Sequence, residues 1–218
     1  MAPSLQVEHA LLESRCERLA CVDEVGRGAL AGPVTVGMVL LARGIGPAPV
    51  GVRDSKLASP ALREQLVPGI ERWCTASAVA HATNDEIDEL GIIPALRLAG
   101  RRALTMLDPG PDLVLLDGSH DWLSTPPATL FDEPDDAPPV VTRVKADLEC
   151  AGVAAASILA KVARDALMVQ AASAHPQFGW DRNKGYASPD HRAALRELGP
   201  TPLHRVSWRL DVPSTESR

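Results

Sequence analysis

The sequence predicts an α/β domain: a mixed central sheet flanked by helices, with a helical extension at its C-terminal end. Three observations carry this. Short aliphatic runs recur along the chain, and the first two lie close enough to pair across a tight connection. Segments with apolar residues at helical spacing separate the later runs. Strands followed by helices after a mixed start describe a layered α/β unit, with no internal repeat to suggest another architecture.

Taken in order, residues 3–15 are polar and form a short helix or a loose arm. Residues 19–23 read as a buried strand that ends at Asp23-Glu24, and 34–41 as a second. Ser59-Pro60 opens a helix with proline at its first position and Arg63 and Glu64 facing outward. Residues 75–82 are a weaker third strand. Asn84 is the expected N-cap of 85–90, with acids in the first turn where the helix dipole favours them. A long amphipathic helix follows at 92–107, then an aliphatic strand at 113–116 running into Asp117-Gly118. The Pro- and Asp-rich stretch 119–139 reads as a surface loop, and 140–144 as a short strand. An alanine-rich helix spans 152–172 and a short one lies near 189–198. Residues 1–212 are expected to form one catalytic domain, its extension at about 173–212, with 213–218 a disordered tail.

The chain of 218 residues is long enough for one well-buried core. With two Phe, one Tyr and four Trp, that core must rest on aliphatic residues and alanine. The net charge of −6 excludes a basic nucleic-acid coat, so any grip on phosphate must come from local basic clusters or from metals held by carboxylates. Cys16, Cys21, Cys74 and Cys150 are scattered without a CxxC pair, which argues against a zinc site or a disulfide framework. They read as small buried hydrophobes in a reducing cytosol, and no signal peptide or 18-residue apolar span points elsewhere. The expected location is therefore cytoplasmic.

Asp23 with Glu24, Asp117 and Asp147 share a position at or just beyond an aliphatic strand, where sites form in α/β sheets. Carboxylates gathered without His or Cys favour hard cations such as Mg²⁺ or Mn²⁺, and such a cluster can hold two of them about 4 Å apart. Any single Asp after a strand is as readily a turn or a cap. Two adjacent acids after a buried strand are harder to dismiss, because they repel unless a cation or basic partner is present. In Gly26-Arg27-Gly28 the glycines allow a sharp turn and close approach to a ligand, and the backbone can reach a ribose 2′-OH. A plain hairpin turn is the alternative reading.

These segments resemble the type 2 ribonucleases H, specifically the bacterial ribonuclease HII family. The match runs through Asp23-Glu24-Val25-Gly26-Arg27-Gly28, Ala31-Gly32-Pro33-Val34, Asp54-Ser55-Lys56, Leu116-Asp117-Gly118 and Lys145-Ala146-Asp147. It continues with the twelve residues from Ala154 to Asp165, Lys184-Gly185-Tyr186 and His204-Arg205, in the family's order. The resemblance implies a ribonuclease H-like fold and hydrolysis of the RNA strand of RNA–DNA hybrids. It implies incision 5′ of ribonucleotides embedded in duplex DNA, leaving 3′-OH and 5′-phosphate ends. Carried over by position, Asp23, Glu24, Asp117 and Asp147 are the catalytic metal-site acids for Mn²⁺ or Mg²⁺, two ions with substrate bound. Gly26, Arg27 and Gly28 read the 2′-OH, and Tyr186 stacks beside the next deoxynucleotide sugar and hydrogen-bonds at the junction. The chain departs from the family in having Ala146 where glycine is usual, and in a longer 119–139 loop.

All four lysines (Lys56, Lys145, Lys161 and Lys184, against 18 arginines) fall inside these motifs. Lys56, Lys145 and Lys184 are expected substrate contacts, with Arg27, Arg53 and Arg143 further phosphate candidates. Asp165 is expected to pair on its helix or to orient it, and His204 to pack or hydrogen-bond near a C-terminal turn. The acids at 132–136 form a solvated loop. The enzyme is expected to act as a monomer through two-metal, in-line displacement. A DNA-only resolvase of the same fold lacks a use for the Gly-Arg-Gly loop and Tyr186. Ribonuclease HIII needs an added N-terminal domain, and a non-catalytic hybrid-binding module needs a broken carboxylate set.

Overall fold

The computed structural model describes residues 2–52, 58–125 and 136–210. A five-stranded mixed sheet runs β3 (Ala76–Ala82), β2 (Val34–Ala42), β1 (Arg18–Val25), β4 (Leu113–Asp117) and β5 (Val140–Arg143). The first three strands form an antiparallel meander. β4 and β5 then join β1 in parallel.

Alternation along the strands divides the apolar residues between two cores. Leu19 and Cys21 of β1, Val39 and Leu41 of β2, and Leu113 and Leu115 of β4 face one side. There they meet the long helix α6 (Ala151–Ala174), with α1 (Gln6–Ser14) and α2 (Pro60–Trp73) beside it. Ala20, Val22, Met38, Val114 and Leu116 face the other side, against α3 (Asn84–Leu90) and α4 (Ile92–Thr105). Small residues let α6 lie close to the sheet. A Cβ placed on Gly37 would stand 2.3 Å from the Ala156 carbonyl oxygen. At the far end of α1 the buried Glu8 accepts a hydrogen bond from the Gly152 N–H, 2.7 Å away, in the first turn of α6.

Beyond α6, the short helix α7 (Trp180–Asn183) and α8 (Pro189–Leu198) pack through Phe178, Trp180 and Leu195 onto Leu30, Ala31 and Met168. The helical extension expected from sequence thus docks on the loop between β1 and β2. α5 (Ala146–Glu149) links β5 to α6. All four cysteines are free and buried, as expected. No helix among the described residues is long and apolar enough to cross a membrane.

Three local expectations need correction. The first strand does not stop at the acidic pair, because β2 continues the ladder opposite it, pairing Asp23 with Gly37 and Glu24 with Val36. The cap of α3 is Thr83 and not Asn84. The Thr83 hydroxyl accepts from the Glu86 N–H and the Glu86 carboxylate accepts from the Thr83 N–H, a reciprocal pair that Asn84 cannot make from inside the helix. Arg63 does not face outward. It is buried against α6, where it pairs with Asp165 at 3.2 Å. The expected tail at 213–218 lies outside the described residues, as do Asp54, Ser55, Lys56 and Arg53.

The Gly37 contact is testable. Gly37→Ala must push α6 from the sheet and should lower unfolding free energy by about 1–3 kcal/mol in denaturant titration.

Candidate active site

Parity and register place the first two acids. Asp23 follows Leu19 and Cys21 at two-residue spacing, and Asp117 follows Leu113 and Leu115 in the same way, so both carboxylates continue the row that faces α6. The parallel ladder pairs Cys21 with Leu115 and Val22 with Leu116, which sets Asp23 beside Asp117 as the strands end. Ser157, buried in the middle of α6, hydrogen-bonds the Asp23 carboxylate. Asp23 Oδ1 also accepts the Glu24 N–H at 2.8 Å.

Asp147 arrives by a different route. It lies in α5 and not at a strand end, because β5 stops at Arg143 and Lys145 turns the chain with φ of 61°. Asp117 Oδ1 caps this turn, accepting from the Ala146 N–H at 2.7 Å and more weakly from the Asp147 N–H at 3.5 Å. The alanine at 146 sits in α5, where glycine is not required.

Negative charge accumulates here. The Asp23 carboxyl is pushed up to about 8, by burial first and then by Glu24 and Asp117, against hydrogen bonds from Ser157 and the Glu24 N–H that lower it. Burial likewise raises Glu24 and Asp117, with Asp147 adding to the rise at Asp117. Arg27 lies 3.5 Å from Glu24, and no cation stands among the main influences on Asp23. An all-carboxylate set that is destabilised by its own charge fits a hard divalent cation. Asp23, Glu24, Asp117 and Asp147 are the residues to hold it. Among the described residues, no group of three or more His, Cys, Asp or Glu side chains stands close enough to hold a metal ion.

Beside the acids, the β1–β2 loop is held from behind by two buried arginines. Arg205 donates to the carbonyls of Gly26 (2.7 Å), Arg27 (3.0 Å) and Gly32 (3.0 and 3.1 Å). Arg164 donates to Pro33, Ala31 and Lys184 carbonyls at 2.8, 3.1 and 2.8 Å. Burial lowers both guanidinium pKa values from their ordinary range, but three hydrogen bonds to carbonyls from Arg164 and four from Arg205 favour the charged forms. Gly26 has φ of 91°, and a Cβ there would strike Arg164. Nothing lies within 4 Å of where a Gly28 Cβ would be, so the open side of that residue is the outward one. The Gly26 N–H donates to the Tyr186 hydroxyl at 3.1 Å, and Arg164 lies over the tyrosine ring, 5.4 Å from its centre.

The structure therefore sets Asp23 beside Asp117, with Glu24 next to Asp23 and Asp147 on the turn that Asp117 caps, and separately joins Gly26 of the Gly26-Arg27-Gly28 loop to Tyr186. Lys56 lies outside the described residues. Lys145 is exposed next to Asp147. Lys184 donates to the Asp181 carbonyl, and Arg143 pairs with Glu149. Lys161 and Arg63 both pair with Asp165, in keeping with its expected role on the helix. Sequence reasoning missed Ser157, Arg164 and Arg205 as parts of the site. All three sat inside recognised motifs, but nothing in their spacing told which carbonyl or carboxylate they would meet.

Comparison with known proteins agrees with this geometry. The ribonuclease HII family model matches residues 20–211. The chain is 45% identical over 207 residues to ribonuclease HII of Streptomyces avermitilis, covering 94% of this chain and 83% of that one. Among solved structures, ribonuclease H2 from Pyrococcus horikoshii is 27% identical with a TM-score of 0.64, covering 88% of this chain and 94% of that one. The fold is shared with Bst ribonuclease HIII, solved in complex with Mn²⁺, at 18% identity and a TM-score of 0.64, over 88% of this chain and 67% of that one.

The raised carboxylates carry a pH signature. The folded protein holds a proton on Asp23 up to about 8 that the unfolded chain releases near 3.8, so stability is lost as pH rises through that window. In metal-free protein the thermal midpoint should fall from pH 4 to 8, and Asp23→Asn should flatten that slope. An equally steep slope in the variant would refute the burial of this charge.

By sequence and by architecture alike, the chain belongs to the ribonuclease HII family of ribonuclease H hydrolases.

Proposed function

We propose that this protein hydrolyses the RNA strand of RNA–DNA hybrids and incises 5′ of ribonucleotides embedded in duplex DNA, as one catalytic domain over residues 1–212. The observation that carries the reading is the adjacency of two features: a carboxylate edge at Asp23 and Asp117, and a backbone loop at Gly26 tied to Tyr186. The first suits phosphodiester hydrolysis. The second suits recognition of a ribose without reading bases, because the 2′-OH both donates and accepts.

Asp23, Glu24, Asp117 and Asp147 would hold the divalent cations, Mn²⁺ or Mg²⁺, which would supply activation of the attacking water and charge stabilisation of the departing 3′-oxygen. Ser157 hydrogen-bonds the Asp23 carboxylate from the α6 side and so restrains its orientation. Asp117 holds α5 through the Ala146 N–H and thereby sets where Asp147 stands. Arg164 and Arg205 keep the Gly26–Gly28 backbone in one shape before substrate arrives, which spares the ordering of the loop during binding. Arg27, partly exposed next to Glu24, faces the side from which a phosphate approaches. The ring of Tyr186 is 38% exposed, enough to stack on a sugar while its hydroxyl stays with the loop. Cleavage breaks the bond to the 3′-oxygen of the preceding nucleotide and leaves the phosphate on the 5′ side of the ribonucleotide.

The deciding assay compares three duplexes in Mg²⁺ and in Mn²⁺: all DNA, DNA with one ribonucleotide, and an RNA–DNA hybrid. The all-DNA duplex should remain intact. Asp117→Asn should lower cleavage of the other two by at least about 100-fold with the fold retained, beyond what loss of a supporting contact does. Cleavage at wild-type rate in that variant would sink the assignment. Tyr186→Ala should reduce incision at the single ribonucleotide more than cleavage of the hybrid, measured as a ratio of initial rates.

A further inference from the structure

The C-terminal segment contains a chain of hydrogen bonds whose proton positions are fixed by its two ends. The Thr201 N–H donates to His204 Nδ1 at 2.9 Å. A peptide N–H can only donate, so this nitrogen is bare and the neutral ring carries its proton on Nε2. His204 Nε2 lies 3.0 Å from His191 Nε2 and therefore donates to it. The Trp180 indole N–H donates to the same His191 nitrogen at 3.2 Å. At the other side of the ring, His191 Nδ1 faces the Tyr186 carbonyl at 2.9 Å. A carbonyl can only accept, so the His191 proton is on Nδ1.

Both rings are buried, enclosed by Phe178 and Trp180 in edge-on and tilted contacts. Burial lowers both pKa values, in keeping with the neutral forms that the hydrogen bonds require. The chain ends on a residue whose main chain is otherwise pinned. The Tyr186 carbonyl also accepts from the Ser188 N–H at 2.8 Å, and the Tyr186 N–H donates to the Asn183 carbonyl at 3.0 Å. The side chain alone reaches out, to Gly26 on one hand and to solvent on the other.

We propose that His191 and His204 are positioning residues for Tyr186: a neutral, tautomer-locked histidine pair that holds its carbonyl and so aims its ring at the ribonucleotide junction. This rests on the reading of Tyr186 as the junction tyrosine. Plain core packing would tie the two histidines to stability alone. Positioning ties them to substrate preference, and that difference can be measured.

Initial rates on the single-ribonucleotide duplex and on the hybrid are compared for the wild type, Tyr186→Ala, His191→Ala, His191→Asn and the Tyr186→Ala/His191→Ala double variant. Loss of one hydrogen bond to the carbonyl should lower the single-ribonucleotide-to-hybrid ratio about fivefold in His191→Ala. His191→Asn, whose amide donates from nearly the position of Nδ1, should recover most of that loss. In the Tyr186→Ala background, His191→Ala should move the ratio no further. A lowered ratio in Tyr186→Ala beside an unchanged one in His191→Ala overturns this proposal alone. An unchanged ratio in Tyr186→Ala overturns the junction reading, and this proposal with it. Nitrogen NMR of histidine-labelled wild-type protein needs no variant to fold. It should find His191 as the Nδ1–H tautomer and His204 as the Nε2–H tautomer at neutral pH, and the reverse assignment or a charged His191 overturns the proposal.

Discussion

The in-register parallel pairing of β1 with β4 is the constraint on which the rest of the molecule turns. Once Val22 lies opposite Leu116, the next residues along both strands are aspartates on the same face. Two desolvated carboxylates side by side are unfavourable, and a third and fourth at Glu24 and Asp147 make them more so. The sheet tolerates this because its strength lies elsewhere, in two aliphatic cores on opposite faces that do not depend on the charged edge. Stability and chemistry are thereby separated in space. Among the described residues, no cation stands among the main influences on Asp23.

Positive charge is arranged in the opposite manner. Arg164 and Arg205 are buried, yet they meet backbone carbonyls of the β1–β2 loop, and they do not reach across to quench the acids. Their donors fix the shape of a loop that has three glycines and would otherwise lose much freedom on binding. Rigid recognition elements and uncompensated carboxylates thus stand next to each other, each kept in its state by a different kind of contact.

Much of this was legible in the sequence, because period-two runs of aliphatic residues report buried strands directly. The strands at 34–41 and 113–116, the alanine-rich helix and the helix at 189–198 fall where their patterns put them. Asp23 and Asp117 lie side by side, although Asp23 and Glu24 lie within β1 and Asp147 within a short helix. What the pattern could not reveal was set by distant partners. The extent of β1 depends on β2 continuing opposite it. Arg63 is buried because Asp165, far along the chain, waits for it. Thr83 displaced Asn84 as a cap because Glu86 answers Thr83 and not Asn84. The tie between His191 and Tyr186 likewise needs a folded turn that no spacing rule predicts.

Glu8 gives the first helix more importance than its place at the edge of the sequence suggests. Its carboxylate, fully buried and raised in pKa by that burial, closes the first turn of α6 at Gly152. That same helix carries Ser157 to Asp23 and Arg164 to the β1–β2 loop. One rigid rod therefore joins the amino-terminal segment to both the carboxylate edge and that loop. A disturbance at one end of the rod is felt at the other as a change in aim, well before any change in fold.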